Sequence, residues 1–173
     1  MQVTAMDVMA NISMLFGHGA GLEVPQSHVG HTLALDEIAG GGRSCYLSKT
    51  DEMAGLCHKH VHKLSSIKMG LDLTLVLAAA QAVKDDKVHI RKEFTVASIS
   101  AHVQKNYSAK PVLLSPTCKQ GTWQESESVI KIILTAWASS PVGECYWGLI
   151  WEIASDGDAT RQAGLQAGNA QVQ

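Results

Sequence analysis

At 173 residues the chain has the length of one domain with room for a real core. Hydrophobic residues make up 46% of it and charged residues 17%, and the formal net charge is −2. That balance excludes nucleic-acid or anionic-membrane binding driven by long-range attraction. A surface so poor in charge is easier to explain where other subunits cover part of it.

The four cysteines, Cys45, Cys57, Cys118 and Cys145, are widely spaced and form no C-x-x-C pair. They read as free thiols in a reducing compartment rather than as a disulfide framework or a zinc knuckle. No Lys or Arg precedes Arg43, and Asp7, Asn11 and Gly17 to Gly21 interrupt the apolar start. No secretory signal is read there, and no apolar run has the length of a membrane span. The expectation is synthesis in the cytoplasm, with any export by a route that uses no N-terminal signal.

In chain order, Met6 to Phe16 is apolar but broken by Asp7, Asn11 and Ser13, and reads as a first strand. Gly17 to Gly21 reads as a flexible loop. His28 to Ile38 alternates loosely, with Leu33 and Leu35 on one face, and is a second strand ended by Gly40-Gly41-Gly42. Arg43 to Leu56 reads as irregular. Cys57 to Met69 reads as a strand with His58, His60 and His62 on one face and Val61 on the other. Leu71 to Lys84 is the one convincing helix: Asp72 is its N-cap, and Leu75, Ala79 and Ala82 form an apolar stripe with Leu77 and Ala78 beside it. Val88 to Ala97 divides into Val88, Ile90, Phe94 and Val96 facing in and His89, Arg91, Glu93 and Thr95 facing out.

Gln104 to Ser128 reads as a long loop with room for one short strand at Val112 to Leu114. From Val129 to Ile153 the period of two recurs on both sides of a Ser139-to-Gly143 break, the signature of two adjacent antiparallel strands. Trp137, Trp147 and Trp151 fall in this hairpin, which marks it as the anchor of a β core. The expected fold is mainly β: a small barrel of two packed sheets with one flanking helix over residues 71–84. A single domain covers residues 1–158, with a loop insertion near 101–128 and a flexible tail at 159–173.

The sharpest local cluster is Cys57-His58-Lys59-His60-Val61-His62. On a strand, His58, His60 and His62 would project from one face in steps of about 7 Å, and two of them with a third ligand could hold zinc or iron. A solvated His-rich face flanked by Lys59 and Lys63 is the preferred reading. The glycine runs at 17–21 and 40–42 lack the strand-to-helix context of a phosphate loop. Glu125, Glu127 and Glu144 read as solvated surface, and Ser139-Ser140 has no nucleophile-elbow context. No residue is assigned as catalytic, cofactor-binding or metal-ligating, and no enzyme activity is expected.

The order of these blocks resembles the haemolysin co-regulated protein (Hcp) family, which forms the inner tube of type VI secretion. Asp7, Ile12 and Gly17 resemble the family's opening strand and turn, and Ser27-His28 leading to Leu33 and Leu35 resembles its second strand. Gly40 to Gly42 sits where the family often carries a glycine-rich loop. His62 to Lys68, running directly into the 71–84 helix, is similar to the family's strand before its only helix, and Val88 to Lys92 to the strand after it. Val129 to Ile132 through Ala138-Ser139-Ser140 resembles a later strand and its turn. The resemblance implies hexameric rings stacked head to tail, with a contractile sheath, a spike-tip protein and effector cargo in the lumen as partners. It implies neither nucleic acid nor membrane as a partner, and no cofactor. The alternatives are a metal-binding protein or enzyme using His58, His60 and His62, and a phage tail-tube or capsid component.

Overall fold

The computed structural model describes residues 3–17, 29–70, 72–103, 108–119 and 121–155. The expected loop at 18–21, the Ser27-His28 block and the 159–173 tail lie outside these residues. The fold differs from the expected barrel. It is mixed α/β, with five helices, an open four-stranded mixed sheet and a separate hairpin among the described residues. The chain divides into two units. One, the sheet unit, comprises Val3–Asp36, Val96–Leu114 and the chain from Gly121 onward; the other, the cysteine unit, comprises Glu37–Thr95 with Ser115–Gln120.

In the sheet unit the first expected strand is helix α1 (Ala5–Phe16). Thr4 and Asp7 form a capping box, each side chain meeting the other's backbone N–H, and Val8, Ile12 and Phe16 make a buried stripe at intervals of four. The expected first strand of the closing hairpin is helix α4 (Trp123–Ser139), likewise opened by a capping box, Thr122 with Glu125. Its buried residues, Ile130, Ile133, Ala136 and Trp137, repeat with helical spacing. The run Ile130-Lys131-Ile132-Ile133-Leu134 satisfies a period of two as well as one of 3.6, so the cap and the 17-residue length decide for helix.

A four-residue helix, α5 (Glu144–Trp147), follows the break. Only then comes strand β6 (Ile150–Ser155), which lies parallel to β1 (His31–Ala39) rather than antiparallel to a hairpin partner. The sheet order is β5-β4-β1-β6, with β4 at Glu93–Ala101 and β5 at Lys110–Thr117; β1, β4 and β5 each contribute residues to both units. Strand β5 and the start of α4 occupy much of the expected 101–128 loop. Strand β4 also starts later than expected and buries Glu93, Ala97 and Ile99, not Phe94 and Val96. With a side-chain period of two, a one-residue error inverts the whole face.

Helices α1 and α4 pack on one another, and their stripes join Leu33 and Leu35 of β1, Ala97 and Ile99 of β4, and Val112 and Leu113 of β5 in one continuous core. Each fully buried Leu or Ile contributes about 1.5–3 kcal/mol. Trp137 is the largest fully buried side chain; its Nε1–H donates to the Gly148 carbonyl at 2.9 Å, and its ring meets Phe16 edge-on at 5.0 Å. Trp151, expected in the core or at a subunit contact, is 62% exposed and lies outside the core.

His31 is fully buried in this unit, 5.2 Å from the Trp137 ring, with the carbonyls of Val29 and Leu149 near its ring but no hydrogen bond of good geometry to either ring nitrogen. Burial holds its pKa below the ordinary value; the carbonyls of Val29 and Leu149 oppose the shift and the charges of His102 and Lys110 add to it. Above the unfolded pKa of about 6.5 the ring is neutral in both states and carries no linkage cost. As pH falls through that value the unfolded chain takes up a proton that the folded chain refuses, so stability drops toward and through the lowered folded pKa. We expect urea midpoints of the native protein to fall between pH 7 and pH 5, and the His31→Phe variant to show a shallower fall. An unchanged slope would remove His31 from the acid response.

The cysteine unit has a hairpin of β2 (Cys45–Leu47) and β3 (Glu52–Ala54), the short helix α2 (His58–Val61) and helix α3 (Leu73–Lys84). Helix α3 is the expected one, capped by Asp72, which accepts from Thr74 N–H at 2.8 Å. Leu75, Ala79 and Ala82 turn inward as expected, but only Ala79 is fully buried, and Leu73 and Leu77 are 68% and 59% exposed. Among the described residues, the buried apolar side chains of this unit are Leu56, Cys57, Met69, Ala79, Val88 and Cys118, with no aromatic ring among them. A core of that size stabilises a small unit poorly without a staple.

Candidate metal centre

The expected His-rich strand is not a strand. Its histidines lie on and beside α2: His58 and His60 within the helix and His62 at its C-cap. A helical turn sends the three side chains in different directions. His60 is buried, His62 is exposed, and His58 Nδ1–H donates to the Pro116 carbonyl at 2.9 Å, with Ser115 Oγ at the same distance. His58 therefore tethers α2 to the segment that leads into Cys118. The structure does not bring the three histidines together as one ligand set.

Three chain segments build the cluster that does form. Gly55, in the left-handed region at φ 91°, directs the chain into Leu56; a Cβ there would collide with the Arg43 carbonyl. Leu56 then bridges Ile90 in antiparallel fashion, and Cys57 N–H donates to the His89 carbonyl at 2.8 Å. This sets residues 57 and 89 side by side. Lys92 N–H donates to the Thr117 carbonyl at 2.7 Å, which brings the end of β5, and so Cys118, alongside. Beyond Cys118 the chain turns at Lys119 (φ 64°), whose ammonium pairs with the buried carboxylate of Glu93 and is held above its ordinary pKa by that contact.

Cys57, His60 and Cys118 are all buried, and one donor atom from each lies within 4.8 Å of the other two. Cys118 Sγ is 3.7 Å from His60 Nδ1 and 3.3 Å from His89 Nδ1. The rings of His60 and His89 face each other with centroids 3.9 Å apart. For a tetrahedral zinc with Zn–S near 2.3 Å and Zn–N near 2.05 Å, the sulfur-to-nitrogen edge is about 3.5 Å, and the two sulfur contacts bracket it. The amides of Lys59 and His60 point back at Cys57 Sγ, an arrangement that favours a thiolate. Burial nonetheless pushes the metal-free Cys57 thiol up to about 11, with the neighbouring Cys118 thiol adding to the shift. Burial likewise lowers the His60 pKa, reinforced by His89 and by Lys63, Lys59 and His62.

Of the histidines singled out in sequence, only His60 belongs to the cluster, and Cys57 and Cys118 join it as donors that the sequence reading does not single out. The Cys57-x-x-His60 spacing was the available signal, since a Cys and a His three residues apart is half of a metal knuckle. A strand reading puts those two side chains on opposite faces and hides it. His89 and Cys118 carry no local signal; only the pairing of three distant segments brings them in.

The fold and the cluster define a mixed α/β protein with a buried sulfur and nitrogen site of metal-ligating geometry. Comparison of the chain with protein-family models, with curated proteins and with solved structures returned no match. Among the described residues, no helix is long and apolar enough to cross a membrane.

Proposed function

We propose that this is a metal-binding protein in which a zinc-type divalent ion, held by Cys57, His60 and Cys118, forms part of the fold of the cysteine unit. The observation that carries this reading is the convergence of three buried donor atoms within 4.8 Å from positions 57, 60 and 118. Two thiolates and an imidazole favour zinc over magnesium or calcium, which prefer oxygen. The two thiolate charges also balance a divalent ion, which offsets the cost of burying either sign alone. The small apolar core gives this unit a use for such a staple.

Cys118, His89 and Asp86 also follow the order of a nucleophilic cysteine with its base and orienting carboxylate. That reading is weaker because Cys118 is 4% exposed and a nucleophile must meet its substrate. The tube-subunit role implied by the resemblance is weaker too: the blocks at Met6 to Phe16 and Val129 to Ser139 are helices, and no barrel forms among the described residues. Sixfold rings in negative-stain images of the purified protein would restore it.

Elemental analysis of untagged protein expressed with added zinc is expected to find about one metal per chain. The Cys57→Ser and Cys118→Ser variants should each lose it. Wild-type protein without stoichiometric metal would sink the reading.

A further inference from the structure

Resting on that metal reading, we infer that His89 supplies a fourth ligand, that Asp86 positions it, and that the site is a closed Cys2His2 centre with no coordination position left for a substrate. His89 arrives on the backbone pairing that sets it beside Cys57, independently of helix α2, which carries His60. Its Nδ1 lies 3.3 Å from Cys118 Sγ, closer than the Nδ1 of His60 at 3.7 Å. Its side chain is 13% exposed, so water has little access to it.

The far side of the ring is occupied as a metal-bound histidine requires. His89 Nε2 is 3.3 Å from both the carboxylate Oδ1 and the carbonyl oxygen of Asp86. Both partners can only accept, so Nε2 carries the proton and Nδ1 presents its lone pair toward the Cys118 sulfur. A ligating histidine that donates its other N–H to a carboxylate or carbonyl is the common second layer of zinc sites. Asp86 reaches this place by adopting the left-handed backbone region (φ 57°) directly after helix α3, and its carboxylate otherwise faces solvent at 90% exposure. Four protein donors leave zinc coordinatively full, which separates a structural site from a catalytic one that keeps a water. The occupant is therefore a tetrahedral divalent ion with a fold-stabilising role.

The test is the visible spectrum of the cobalt-loaded full chain. Wild-type protein should show the intense d–d bands of four-coordinate cobalt with sulfur charge-transfer bands. His89→Ala should weaken the d–d bands as water enters, and His89→Cys should restore four-coordinate intensity with stronger sulfur bands. Asp86→Asn should keep the wild-type spectrum while lowering metal affinity by about 10–100-fold. A His89→Ala spectrum identical to wild type overturns the fourth-ligand assignment and leaves the three-residue site standing. Failure of wild type to take up cobalt or zinc overturns the metal reading itself. If His89→Ala loses metal altogether, the His89→Cys spectrum decides: no recovery of tetrahedral bands rejects the assignment.

Discussion

On the metal reading, a strong chelator is expected to unfold the cysteine unit, and this is the largest effect that reading implies. Among its described residues the unit buries six apolar side chains, two of them the thiols of Cys57 and Cys118. Without an ion, those thiols and His60 are buried polar groups crowded together, with only weak sulfur contacts in compensation. With an ion, binding adds RT ln(1 + [L]/Kd), about 4 kcal/mol when free metal stands at 1,000 times Kd. That is a large share of what holds any small unit together. Hydrogen exchange reads the result locally. The amides of Cys57, Arg91 and Lys92, which bond the carbonyls of His89, Gly55 and Thr117, should lose protection on chelation and regain it when zinc is restored. Protection at these amides that ignores the chelator, in protein shown to have lost its metal, would mean that the ion does not hold this unit.

The second large effect is expected in the sheet unit. Trp137→Ala should cost about 3–5 kcal/mol in urea unfolding, the range for deleting a buried aromatic ring. Trp137 is 1% exposed, touches Phe16 and His31, and donates its indole N–H to the Gly148 carbonyl. The chain also passes tightly over its backbone, since a Cβ at Gly143 would collide with the Trp137 carbonyl. Trp151→Ala is the control: this side chain is 62% exposed, and its loss should cost about 1 kcal/mol or less. Equal costs for the two tryptophans would contradict the assignment of Trp137 to the core.

What was legible in the sequence, and what was not, follows from which signals were local. The α3 helix was legible because Asp72, the Ala run and the Leu75-Ala79-Ala82 stripe all point the same way. Strand β1 was legible in Leu33 and Leu35. The two helices read as strands, α1 and α4, each carried a usable sign in Thr4-x-x-Asp7 and Thr122-x-x-Glu125. Those boxes were outweighed by an apolar alternation that short runs of Ile and Leu satisfy under either period. A barrel requires strands at both segments; with them helical, the sheet is open and mixed. The metal cluster was half legible. Cys57 and His60 stand three apart, but their partners His89 and Cys118 lie far along the chain and are recruited only by the backbone pairings of residues 56 with 90 and 92 with 117.

The most direct measurement of the central claim is X-ray absorption at the zinc edge on protein purified without a tag. The expected first shell has two sulfurs at about 2.3 Å and two nitrogens at about 2.0–2.1 Å. A shell of oxygen and nitrogen alone, or an edge too weak for one zinc per chain, would contradict it.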